Sequence, residues 1–214
     1  MLFNSIDFLI FLPIVLVIYY IIPMKYKHIW LLISSYYFYM CWNAKYVLLI
    51  FVSTVITYLS GILIDKVEKT WSDVDKLGKY KKLILAISFV SNLGILFYFK
   101  YINFTLDIVT RILSKVNISI NVPVFDVILP VGISFYTFQA LSYSVDVYRG
   151  EVAPEHDFFR YALFVSFFPQ LVAGHIERSK NLLTQLRENP ASLILDMRLM
   201  ESYLCFGDFF LKSF

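Results

Sequence analysis

Residues 46–64, YVLLIFVSTVITYLSGILI, run for nineteen positions without a charged side chain. A bilayer hydrocarbon core needs roughly 20 apolar residues of α-helix to cross it. No water is available there, so each backbone N–H and C=O must find its partner within the segment, which a helix provides. A run like this therefore fixes the solvent before it fixes the fold. The whole chain agrees: 59% of its 214 residues are hydrophobic and 16% charged, against about 45–50% and 25% in soluble domains.

The chain is accordingly read as all-α, a polytopic transmembrane helical bundle in one domain over residues 1–214. Spans are predicted at about 6–22, 29–42, 46–64, 83–102, 128–148, 157–176 and 193–212. Pro13 lies inside the first, which a membrane helix tolerates. The second is short, and Asn43 to Lys45 joins it to the third as a helical hairpin. No basic region precedes the first run and no small-residue cleavage site follows it, so that span is expected to be retained. Residues 65–82 form the clear polar linker, with Lys66, Lys69, Lys76, Lys79, Lys81 and Lys82. The positive-inside rule makes this loop cytoplasmic and, counting back, the N-terminus external. Residues 103–127 read as a helix along the outer surface followed by a loop.

Other classes are excluded. The net charge of +3 is small, with no basic stripe suited to nucleic acid. Cys41 and Cys205 sit in apolar runs without metal-ligand or redox spacing, so no metal site is expected.

The most informative stretch is 128–178. It is apolar, yet it holds Gln139, Asp146, Arg149, Arg160, Gln170 and Glu177. Ionisable groups at membrane depth are expensive and usually face a protein interior or a wet cavity. On a helix over 134–149, Gln139, Ser142, Tyr143 and Asp146 fall at i, i+3, i+4 and i+7, one face. Two readings fit that stripe: interhelical hydrogen bonds that fix packing, or the lining of a polar substrate path. A carboxylate at Asp146 needs a cationic partner, and Arg149 is one turn on. Equally, Tyr148 and Arg149 could anchor the helix end at the interface. Farther on, Arg178, Lys180, Arg187 and Arg198 conflict with a loop outside the membrane. A re-entrant or broken segment near Pro169 to Gly174 resolves the conflict.

Two motifs carry a resemblance: PVGISFYTFQALSYSVDVYRG from Pro130, and FFPQLVAGHIERSKNLL from Phe167. With the opening FNSIDFLIFLPIV and the hairpin WLLISSYYFYMCWNAKYVLLIFVST, they resemble the membrane-bound O-acyltransferase (MBOAT) family, in its branch of bacterial polysaccharide O-acetyltransferases such as those of alginate. The resemblance implies part of a multi-helix funnel in the bacterial cell membrane. It implies an acyl thioester donor, acetyl-CoA or a carrier protein, a polysaccharide acceptor and an extracytoplasmic acyltransferase partner protein. It makes Pro130, Gly132, Gly174 and Arg178 motif positions. It makes Gln139, Ser142, Tyr143, Asp146 and Arg149 a substrate tunnel. The family's catalytic histidine is a membrane-embedded base, suited to taking the proton of a hydroxyl. It has no counterpart here, and the chain is expected to be truncated before it. His175 stands where the family has proline, in AGHIER against AGPIxR, which argues against a catalytic role. His28 and His156 lie in polar turns and read as solvated. Two other classes remain in view: a transporter or flippase-like bundle, which would show inverted repeats, and a non-catalytic membrane subunit.

Overall fold

The computed structural model describes residues 6–41, 44–70, 74–115, 132–168 and Leu183. Six α-helices account for nearly all of them, and no strand occurs among the described residues. They are α1 (Ile6–Ile21), α2 (Lys27–Met40), α3 (Ala44–Thr70), α4 (Val74–Lys115), α5 (Ile133–Arg149) and α6 (Phe158–Ser166). One 3-10 turn, Met24–Tyr26, follows Pro23 and leads into α2. Pro13 sits within α1 without ending it.

Helix α3 is the hub. It packs on α4, α5, α6 and α2, while α1 packs on α2. The reason is a stripe on α3 of small residues three and four apart. Ser53, Thr54, Thr57 and Ser60 are all buried, and Gly61 continues the same face. Small side chains let helix backbones approach, and each hydroxyl can tie one neighbour where no water competes. Ser53 donates to Asn92 of α4. Tyr161 of α6 donates to Thr57 Oγ1 at 2.7 Å. Ser60 and Ser144 of α5 share a hydrogen bond at 3.0 Å. At Gly61 the approach is closest: a Cβ there would lie 2.9 Å from the Tyr143 hydroxyl.

Two expectations need correction. The stretch 65–82 is mostly helix, not linker: α3 runs on to Thr70 and α4 begins at Val74. Charge marked these residues as wet, but lysine and glutamate are good helix formers. Their charges also pair. Lys69 meets Asp65 at 2.7 Å one turn away, and Lys81 reaches Glu68 at 2.7 Å across the hairpin. Residues 103–115 are likewise no separate surface helix; they continue α4 to Lys115. The loop expected at 116–127 and the last span at 193–212 lie outside the described residues.

Among the described residues, two segments are long and apolar enough to cross a membrane, Tyr46–Thr70 in α3 and Lys76–Ile108 in α4. With the shorter apolar α1 packed on α2, the molecule is an all-α membrane bundle.

Candidate functional site

Helix α5 opens and closes on glycines in the left-handed region. Gly132 (φ 78°) precedes Ile133, and Gly150 (φ 74°) follows Arg149. Glycine meets no steric penalty there. At the second, the Asp146 carbonyl accepts from Glu151 N at 2.9 Å and Val152 N at 3.4 Å, which turns the chain sharply. The segment 151–157 then returns to α6. Asp157 caps that helix, its Oδ1 accepting from Phe159 N at 3.0 Å and Arg160 N at 3.4 Å, as a favoured N-cap residue does.

The stripe read from the sequence is split by this geometry. Gln139 is buried and its Nε2 donates to the Phe164 carbonyl of α6 at 2.8 Å. Tyr143 is fully buried, its hydroxyl accepts from Glu155 N at 2.9 Å, and its ring lies 4.5 Å from that of Tyr161. Ser142 is half-buried and donates to its own helix at the Gln139 carbonyl. Asp146 is half-buried as well. Arg149 is exposed and faces Glu151 at 3.7 Å, both side chains more than half in solvent. Such a pair contributes about 0–1 kcal/mol. Gln139 and Tyr143 thus tie helices together, while Ser142, Asp146 and Arg149 lie progressively nearer the surface.

Beside the Tyr143 hydroxyl is a cluster that the sequence did not single out. The Glu155 side chain is 5% exposed, with Arg160 Nη1 at 3.9 Å. Arg160 Nη2 lies 3.8 Å from Asp157, and its Nε is buried without a hydrogen-bond partner. His156 Nε2 stands 3.9 Å from Asp65 at the end of the apolar part of α3, and the His156 carbonyl accepts from Tyr58 at 2.7 Å. His28 is drawn into the same field from the start of α2. Burial lowers its pKa below the usual histidine range, nearby Asp157 opposes that shift, and Arg160 adds to it. His156, read as solvated, is 67% exposed at the edge of this network, whereas His28 is half-buried beside it. The signal was present in the acidic and basic spacing of 155–160, but the partners come from α2 and α3, far away in sequence.

A second cluster is silent in the sequence. The hydroxyls of Tyr36, Tyr39 and Tyr136 are buried with no hydrogen-bond partner. Each such group costs about 1–3 kcal/mol. Tyr36 and Tyr39 share the α2 face that carries Ser35, whose Oγ accepts from Phe168 N at 3.3 Å. There α6 has already ended, at Ser166, after nine residues. Nine residues span about 14 Å, far short of a crossing. The break expected near Pro169 to Gly174 lies outside the described residues, as do Pro130, Gly174, His175 and Arg178. Among the described residues, no group of three or more His, Cys, Asp or Glu could hold a metal ion.

Comparison with known proteins gives homology along nearly the whole chain. The sequence is 39% identical over 186 residues to a probable alginate O-acetylase AlgI of Pseudomonas aeruginosa, covering 86% of this chain and 34% of that protein. A probable alginate O-acetylase AlgI of Azotobacter vinelandii is 34% identical over 194 residues, covering 90% and 37%. A peptidoglycan O-acetyltransferase of Helicobacter pylori is 30% identical over 218 residues, covering 88% and 39%. The chain spans a little over a third of the length of these relatives. No family model matches it, and no solved structure does.

Proposed function

We propose that this chain serves membrane O-acyl transfer, moving an acetyl group to a hydroxyl of a cell-envelope polysaccharide such as alginate or peptidoglycan. The observation that supports the reading is its identity of 30–39% to proteins named as O-acetylases, across 86–90% of its residues. In the membrane step a hydroxyl attacks the carbonyl of an acyl thioester, acetyl-CoA or a carrier protein, and the ester so formed is passed on to the polysaccharide. A base takes the hydroxyl proton, and the thiol leaves. The described part of the chain supplies scaffold and path. Helices α3, α5 and α6 form a wall pinned by Gln139 and Tyr143. Ser142, Asp146 and Arg149 continue it toward one end, and Gly132 fixes the entry of α5.

In this reading the bundle crosses the bacterial cell membrane several times, with the N-terminus outside. The lysine-rich junction of α3 and α4 is cytoplasmic, where the thioester donor is met. An extracytoplasmic acyltransferase completes delivery to the polysaccharide.

A chimera tests the proposal. The matching segment of the Pseudomonas aeruginosa relative is replaced by this chain, and acetate ester on secreted alginate is measured in cells lacking the native protein. Restored ester is expected. A chimera that inserts and accumulates normally yet gives no ester overturns the reading. Within a functional chimera, Asp146→Asn should spare insertion and lower transfer by about tenfold, the effect of losing ~1.4 kcal/mol of transition-state stabilisation.

A further inference from the structure

Helix α1 touches the bundle mainly through α2. At one end Trp30 Nε1 donates to the Val15 carbonyl at 3.1 Å. Toward the other, Phe11 stacks on Tyr37 with ring centroids 5.8 Å apart. Alongside these pins runs a groove of about 680 Å³, within the size range of small-molecule sites. Its long wall is Ile10, Ile14 and Ile33, which are 56%, 50% and 54% exposed. Asp7 is the one charged lining residue among the described residues and marks one end, with Tyr37 and Cys41 beside it. The groove is therefore apolar along its length and anionic at a single end.

We propose that this groove binds one acyl chain of a phospholipid whose headgroup carries a primary amine, with the ammonium on the Asp7 carboxylate. Three features select that occupant. The bundle is a membrane protein, so an open apolar trough on its outside meets lipid tails at high concentration. The charge sits at one end only, while the polar atoms of Trp30 and Ser34 farther along are bonded to the Val15 and Trp30 carbonyls, which matches an amphiphile with one charged head. The charge at that end is negative, which attracts a cationic amine and repels a net anionic headgroup. The carboxylate is also acceptor-only, so it discriminates in favour of a headgroup with N–H donors over a quaternary ammonium.

The test uses the full chain in nanodiscs of equimolar phosphatidylethanolamine, phosphatidylglycerol and phosphatidylcholine, with retained lipids counted by native mass spectrometry. Phosphatidylethanolamine should be enriched over phosphatidylglycerol by about fivefold, the ratio that roughly 1 kcal/mol gives. Asp7→Asn should bring the two near parity while leaving a lipid bound. Ile14→Trp, which fills the groove from an exposed position, should remove the bound lipid, with helicity by circular dichroism unchanged. Equal retention of all three lipids by the unaltered chain would overturn the proposal. So would enrichment that survives Asp7→Asn. Oxidative cross-linking of two copies through the exposed free Cys41 would place a second chain in the groove and overturn it as well.

Discussion

Helices α3 and α4 are both long and apolar enough to cross a membrane, yet their side chains have opposite fates. Within their apolar windows 39% of α3 is buried against 17% of α4. Helix α3 presents hydroxyls and a glycine to three neighbours. Helix α4 turns one short polar face inward, at Ser88 and Asn92, and leaves Leu83, Ile87, Val90, Phe97 and Phe104 exposed. Lipid tails are as apolar as leucine, so large apolar side chains give little reason to associate in a bilayer, whereas small and hydroxylated ones do. Hydropathy says that a helix is in the membrane; the small polar residues say which side of it faces protein.

The sharpest way to break this contrast is a pair of glycine substitutions. Gly61→Leu would push into the Tyr143 ring, which is fully buried and bonded to Glu155 N. It should destabilise the bundle by about 3 kcal/mol, the upper range for overpacking. Gly94→Leu on the outer face of α4 meets nothing within 4 Å and should leave thermal unfolding in detergent unchanged or slightly improved, since leucine favours helix. Equal effects at both sites would erase the distinction between the helices.

A smaller effect is expected from the hydroxyl ties. Tyr161→Phe removes the bond to Thr57 and should lower stability by about 1 kcal/mol. Thr57→Val should cost a similar amount, and the double variant less than the sum, because both remove one shared contact. Strict additivity would show that the two groups act separately.

Tyr136→Phe should go the other way. Its hydroxyl is buried without a partner, so deleting it should raise stability by about 0.5 kcal/mol or leave it unchanged. A clear loss of stability would mean that the phenol has a partner in the membrane.

The smallest effect is electrostatic. The folded state lowers the pKa of His28 through burial, with Asp157 opposing and Arg160 assisting. The unfolded chain therefore takes up a proton first as pH falls. Stability from the neutral imidazole is full above the unfolded pKa of about 6.5 and declines below it. His28→Asn should flatten the unfolding midpoint between about pH 7.5 and 5.5; an unchanged slope would assign it to other groups.

What the sequence made legible follows from these forces. Helices α1 and α2 lie over the apolar runs 6–22 and 29–42, and α5 over the later part of 128–148, starting only after Gly132. The ends of α3 and α4 are not legible, because a charged run suits a loop and a wet helix end equally, and the Asp65–Lys69 and Glu68–Lys81 pairs that hold them depend on the hairpin. At the site, the positions of Gln139 and Tyr143 on one helix face were readable, but their attachment to Phe164 and Glu155 was not. Those partners depend on how α6 folds back. Thr57 and Ser60 were overlooked within an apparently uniform apolar run, although their spacing of three and four was the available clue.

The length of α4 has a mechanical meaning. Its 42 residues make a rod of about 63 Å, roughly twice the hydrocarbon thickness of about 30 Å. Even at a tilt of about 40°, the steep end of what is observed, such a rod rises about 48 Å along the bilayer normal. It therefore behaves as a spar rather than a plug. The Glu68–Lys81 pair lies near one end of that rod and residues 103–115 form the other. Whatever its tilt, the helix is therefore long enough to project well beyond the hydrocarbon, so part of it must meet headgroups or water.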